Sequence, residues 1–265
     1  MPTIRVNGVE LYYESSGSGS QTVVFSHGLL LSADMFREQV RFLSPRYRVV
    51  AYDHRGQGRS DLTAREFDMD TLAADAAALI EALGVAPCHF AGLSMGGFVA
   101  LRLAARRPEL LRSCILLDTS AEPESPQNVF RYRMLSWALR LFGTGAVTGQ
   151  VMPIMFGKTF LADPARAELR AEWRGRLLAL RRSIHRAVAG VTDRRGVEAE
   201  LPKISMPTLI LVGEEDVATP PPKAERLHAA IRGSRLVRIP RAGHSSTIEN
   251  PAAVNAALAD FLSTP

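Results

Sequence analysis

Short apolar runs rich in Val and Ile alternate along the chain with longer stretches of helical periodicity. The runs Thr22-Val-Val-Phe25, Arg48-Val-Val-Ala-Tyr52, His89-Phe-Ala-Gly-Leu93, Ser113-Cys-Ile-Leu-Leu117, Thr208-Leu-Ile-Leu-Val212 and Arg235-Leu-Val-Arg-Ile239 read as strands. Continuously apolar strands belong in a parallel sheet covered on both faces. Between them, Thr71 to Leu83 places Leu72, Ala76, Leu79 and Leu83 on one helical face, with Gly84 as its C-terminal stop. Gly96 to Arg107 reads as a helix ending before Pro108. Ala224 to Ile231 and Pro251 to Leu262 read as two more, with Pro251 in a first-turn position. The alternation predicts an α/β fold with a doubly wound, mostly parallel sheet. Thr3-Ile-Arg-Val6 and Val9-Glu-Leu-Tyr-Tyr13 flank Asn7-Gly8, a hairpin signal that predicts an antiparallel N-terminal edge.

One stretch breaks the rhythm. From about Glu122 to Lys203 no strand is visible, and segments such as Phe130 to Phe142 and Arg166 to Ala189 read as helices. With Pro123, Pro126 and Pro202 near its joints, 121–205 reads as a helical insertion into a core made of 1–120 and 206–265. The length of 265 residues suits one such domain. The apolar share of 46% and charged share of 22% exclude disordered and fibrous classes. No apolar run approaches the roughly 20 residues that cross a bilayer, and the N-terminus shows no secretory h-region. Cys88 and Cys114 sit in apolar runs as free thiols, which suits a reducing cytoplasm.

Charge refines this picture. The chain carries 32 Lys+Arg against 27 Asp+Glu, but 14 of the basic and only 8 of the acidic residues lie in 121–205. The rest is nearly neutral. In the insertion, Arg170, Arg174 and Arg176 are interleaved with Glu168 and Glu172, which reads as a solvated helix face with i, i+4 pairs. No nucleic-acid motif accompanies the charge, so neither nucleic acid nor membrane is expected as a partner.

Gly92-Leu93-Ser94-Met95-Gly96 follows an apolar strand and precedes a helix, the context of a nucleophile elbow. Asp216 follows one strand in Gly213-Glu-Glu-Asp216, and His244 follows the next. The order Ser, Asp, His is that of a hydrolase triad in which Ser94 attacks, His244 moves the proton and Asp216 orients the imidazole. The backbone N–H groups of Leu29, after Ser26-His27-Gly28, and of Met95 would form the oxyanion hole. Glu214, Glu215 and Asp118 are the alternatives for the acid.

The chain resembles the α/β-hydrolase superfamily over essentially its whole length. The matching motifs are His27-Gly28, Asp53-His-Arg-Gly-Gln-Gly-Arg-Ser60, Gly92-Leu-Ser-Met-Gly96, Gly213-Glu-Glu-Asp216 and Gly243-His244. Within the superfamily it is similar to the branch of carboxylesterases, 3-oxoadipate enol-lactonases and cofactor-free haloperoxidases, and Asp118-Thr-Ser120 is similar to the lactonase-like group. The resemblance implies that the insertion is a helical cap over the site, and it favours Asp216 as the acid. A serine at the elbow separates the chain from haloalkane dehalogenases and epoxide hydrolases. Absence of a His-Gly-Gly-Gly run separates it from many lipases.

The expected activity is hydrolysis of a small carboxylic ester through an acyl-Ser94 intermediate. A lactone or enol-lactone hydrolase, or a C–C hydrolase or perhydrolase on the same triad, is the alternative; a small-molecule receptor is the non-enzyme alternative. His27, Met134, Trp137, Phe142, Met155 and Phe156 are the expected pocket residues, with His27 bracing the oxyanion loop. His54, His89, His185 and His228 read as structural. No cluster has ligand spacing, so neither a metal nor any other cofactor is expected.

Overall fold

The structure is a computed structural model that describes residues 2–63 and 67–263. Its eight strands are β1 (Thr3–Val6), β2 (Val9–Ser16), β3 (Thr22–Ser26), β4 (Arg48–Tyr52), β5 (Cys88–Leu93), β6 (Leu111–Leu117), β7 (Thr208–Gly213) and β8 (Arg235–Ile239). They form one sheet in the order β1-β2-β4-β3-β5-β6-β7-β8. β1, β2 and β4 pair antiparallel, and all pairs from β4 to β8 are parallel. The hairpin turns on Asn7 and Gly8, both with positive φ, which matches the twist of the strands it joins.

The helices are α1 (Arg37–Leu43), α2 (Met69–Ala82), α3 (Met95–Arg106), α4 (Pro126–Phe142), α5 (Gly145–Met155), α6 (Lys158–Ala162), α7 (Ala167–Leu178), α8 (His185–Thr192), α9 (Pro221–Ala230), α10 (Ser246–Glu249) and α11 (Pro251–Leu262). Alternate strand residues face opposite layers. Val24 and Val50 pack with Leu72 of α2, Phe98 of α3 and Leu227 of α9. Val23 and Phe25 pack on the other side with Leu43 of α1 and Leu258 of α11. Parallel strands all present their C-terminal ends at one edge, and there the loops carrying Ser94, Asp118, Asp216 and His244 meet.

All described strands fall outside 121–205, where α4 to α8 lie between β6 and β7. Two boundaries differ from the periodicity. α2 starts at Met69 because the Asp68 carboxylate accepts from the Asp70 and Thr71 amides. Arg166 to Ala189 is not one helix but two, α7 and α8. The Thr144 hydroxyl donates to the Leu178 carbonyl, and the Arg182 guanidinium donates to the Arg140 and Leu141 carbonyls, so contacts with neighbouring chain ends set the break. α5 escapes the periodicity because it carries Gly145, Gly149 and Pro153, all poor helix formers.

Candidate active site

Ser94 stands between β5 and α3 with φ +52° and ψ −108°, a strained conformation that lifts its side chain off the turn. The turn closes only around glycine. A Cβ on Gly92 would come within 2.1 Å of the Gly96 carbonyl oxygen, and one on Gly96 within 2.0 Å of the Ser26 oxygen. The Ser94 hydroxyl lies 2.8 Å from His244 Nε2, and His244 Nδ1 lies 2.9 Å from Asp216 Oδ2. All three side chains are buried.

Asp216 is held on several sides. The Ala218 and Thr219 amides donate to one carboxylate oxygen, and the Thr219 hydroxyl donates to the other. Burial pushes this carboxyl up, but His244 and the Thr219 bonds outweigh it and hold it below the usual range. For His244, burial pushes down, while the Asp216 charge and hydrogen bond outweigh it and raise the imidazole above its ordinary 6.5. Such a chain can pass the serine proton to the imidazole and stabilise the imidazolium that results.

Asp118, at the end of β6, is a second buried carboxyl beside the pair. It accepts from the Gly213 amide, the Ser246 amide and the Ser246 hydroxyl rather than from His244. Burial, reinforced by the nearby Asp216 charge, pushes it well above the carboxylate range. Glu214 and Glu215 are not bonded to His244; Glu215 instead takes the Thr159 amide and hydroxyl of α6.

The loop after β3 is equally tied down. His27 Nδ1–H donates to the Gly28 carbonyl, and its Nε2 accepts from the His54 amide, which settles the tautomer. The Leu30 amide donates to Gln57 and the Gly28 amide meets the Met35 sulfur. The Leu29 amide between them makes no hydrogen bond among the described residues. Met95 opens α3, so its amide stands at the positive end of the helix.

A cavity of about 110 Å³ opens onto Ser94 and His244, walled by Leu29, Phe98, Leu139, Val151, Met155 and Val191. Of the expected pocket residues, Met155 alone lines it. Met134, Trp137 and Phe142 are 57%, 62% and 73% exposed, because α4 turns Tyr132, Leu135 and Leu139 inward instead. Phe156 is buried against Phe160, with ring centroids 5.0 Å apart, and packs the core. His27 is fully buried behind the loop it braces. The remaining histidines bond to local partners. His54 contacts Ser26, His89 contacts Ser113 and Gln21, His185 Nδ1–H donates to the Arg182 carbonyl of its own turn, and His228 contacts Ser234. Among the described residues, no group of three His, Cys, Asp or Glu side chains could hold a metal.

One contributor has no local signal in the sequence. Glu249, in α10, accepts from the amides of Gly157, Gly243 and Ser245. Its carboxylate therefore joins the loop between α5 and α6 to both neighbours of His244. Burial pushes it up to about 7, against the pull of those three donors. Glu249→Ala should orphan three buried N–H groups at about 1–3 kcal/mol each. The expected result is a Tm lower by about 10 °C or more, measured by calorimetry. A Tm within two or three degrees (on the order of 1 kcal/mol) would remove this bracing role.

A family model described as the alpha/beta hydrolase fold matches residues 21–251. A thermophilic esterase from Thermogutta terrifontis is 31% identical and superposes with a TM-score of 0.89, covering 98% of this chain and 96% of that one. An enol-lactonase from Burkholderia xenovorans LB400 is 29% identical with a TM-score of 0.92, covering 99% and 100%. A non-heme haloperoxidase from Rhodococcus erythropolis is 29% identical over 99% of both chains.

Proposed function

The chain belongs to the α/β-hydrolase family, and from that premise we propose that it is a serine carboxylesterase acting on small esters through an acyl-Ser94 intermediate. The observation that carries this is the unbroken Ser94–His244–Asp216 hydrogen-bond chain facing a cavity. His244 Nε2 takes the Ser94 proton as Oγ attacks the ester carbonyl. The Leu29 and Met95 amides receive the developing oxyanion, His244 protonates the leaving alcohol, and water then releases the acid by the same route.

The cavity favours an uncharged, apolar acyl or alcohol group. Its walls are mostly aliphatic and aromatic, with the hydroxyls of Ser136, Thr192 and Thr219 between them. Apart from His244, the one residue among the described lining residues that carries a full charge, Glu124, is paired with Arg194. Arg194 in turn lies over the Phe98 ring, 4.1 Å from its centroid, outside the cavity lining. A free carboxylate would be desolvated there without a cationic partner. The helices between β6 and β7 act as a cap on a core of 1–120 and 206–265. The unpaired, buried Cys88 and Cys114 suit a cytoplasmic setting. A lactone is the second reading, favoured by the likeness to the Burkholderia enol-lactonase; the chemistry is the same with the leaving alcohol tethered.

The test is covalent trapping. An alkyl fluorophosphonate should add once per chain, on the peptide containing Ser94, and ester hydrolysis should fall in proportion to the adduct. Labelling elsewhere, or hydrolysis that survives full labelling of Ser94, would refute the proposal.

A further inference from the structure

The outer face of α4 is built unlike the rest of the surface. Phe130, Met134, Trp137 and Leu141 follow one another at i, i+4, i+7 and i+11, so they form a single stripe along the helix. All four are more than half exposed. An ordered apolar stripe of this length marks a contact surface rather than scattered exposure. The opposite face of the same helix carries Tyr132, Leu135 and Leu139 into the cavity beside Ser94.

The charges around the stripe select the partner. Helical spacing puts Arg133 and Arg140 along one flank and Arg131 along the other. α4 contains no Asp or Glu. Arg133 pairs with Asp193 in an exposed bridge, and Arg182 adds another guanidinium at the Leu141 end of the helix. Two copies meeting through this face would bring arginines toward arginines with no acid on either helix. An anionic lipid surface instead meets both features at once, taking the apolar stripe at the acyl boundary and the arginines at the headgroups.

We propose that the outer face of α4 docks the protein onto anionic lipid surfaces. Among the described residues no helix is long and apolar enough to cross a membrane, so the association is peripheral. Docking sets the cavity wall against the lipid, the phase in which apolar esters collect. The docking itself stands apart from the esterase reading and is tested without substrate.

The chain has two tryptophans, and they report separately. Trp173 is buried, whereas Trp137 lies in the stripe. Adding phosphatidylcholine vesicles containing phosphatidylglycerol should shift the emission to the blue and sediment the full-length protein. Pure phosphatidylcholine should bind at least tenfold more weakly, and salt should weaken the anionic binding. Trp137→Phe should abolish the shift, Phe130→Ser with Trp137→Ser should abolish sedimentation, and Arg131→Gln with Arg140→Gln should remove the preference for anionic lipid. These side chains face solvent, so an unchanged Tm should confirm that each variant is folded. Absence of sedimentation at millimolar lipid overturns the proposal, as does undiminished binding by the stripe variant. A lipid-independent blue shift that grows with protein concentration, with a doubled mass in solution, would assign the face to a second copy instead.

Discussion

Ser94→Ala is expected to lower kcat/KM for a neutral short-chain ester by about 10⁴-fold or more. The reason is geometric. The Ser94 hydroxyl is the group within hydrogen-bond reach of His244 Nε2, and no other hydroxyl is recorded on that nitrogen among the described residues. Water entering the vacated space can be activated by His244, but it lacks the placement that the elbow imposes on a side chain. The Leu29 and Met95 amides remain in the variant, so a residual rate above the uncatalysed one is expected. The measurement is initial rate against ester concentration, with far-ultraviolet dichroism to show that the variant is folded. Equal turnover by both proteins would end the serine mechanism.

Asp216→Asn should cost about 10³- to 10⁴-fold in kcat, because the amide no longer holds the imidazole in the tautomer that accepts the serine proton. It should also move the pH profile. In the native enzyme the Asp216 charge and hydrogen bond raise His244 above 6.5. The reaction needs the neutral imidazole, so the native rate is full above that raised midpoint and falls as pH drops through it. With the carboxylate gone, burial, which favours the uncharged ring, is opposed only by the smaller pull of Asp118 and Glu249. The acid limb of the variant should therefore lie at lower pH than the native limb. Asp118→Asn is the comparison. This carboxyl already resists ionisation and bonds Ser246 and Gly213 rather than His244, so the variant should lose less than about tenfold. If Asp118→Asn loses as much as Asp216→Asn, or moves the acid limb as far, the acid role passes to Asp118.

The strands and the elbow are legible in the sequence for the same reason. Runs such as Thr208–Val212 encode burial on two faces within five residues, and Gly92-x-Ser-x-Gly96 encodes a turn whose steric demands are local. Asp216 and His244 are legible because each sits just past such a run, and parallel strands carry their following loops to one edge. Glu249 is a different case. Its three amide donors come from Gly157, Gly243 and Ser245, and the contact across 92 residues leaves no local pattern.

The sequence by itself determines the element types, the chain order of Ser94, Asp216 and His244, and the concentration of positive charge in 121–205. Each is a property of neighbouring residues or of composition. The cavity lining was decided by packing. Met134 and Trp137 are as apolar as Leu135 and Leu139, and periodicity ranks both sets alike. Only the neighbours of α4 distinguish them. Val147 and Val151 of α5 and Val188 and Val191 of α8 share the cavity with Leu135 and Leu139, so that face turns inward. The stripe from Phe130 to Leu141 is left outside, because no described element packs over it, and hydrophobicity alone cannot say which of two apolar faces a fold will cover.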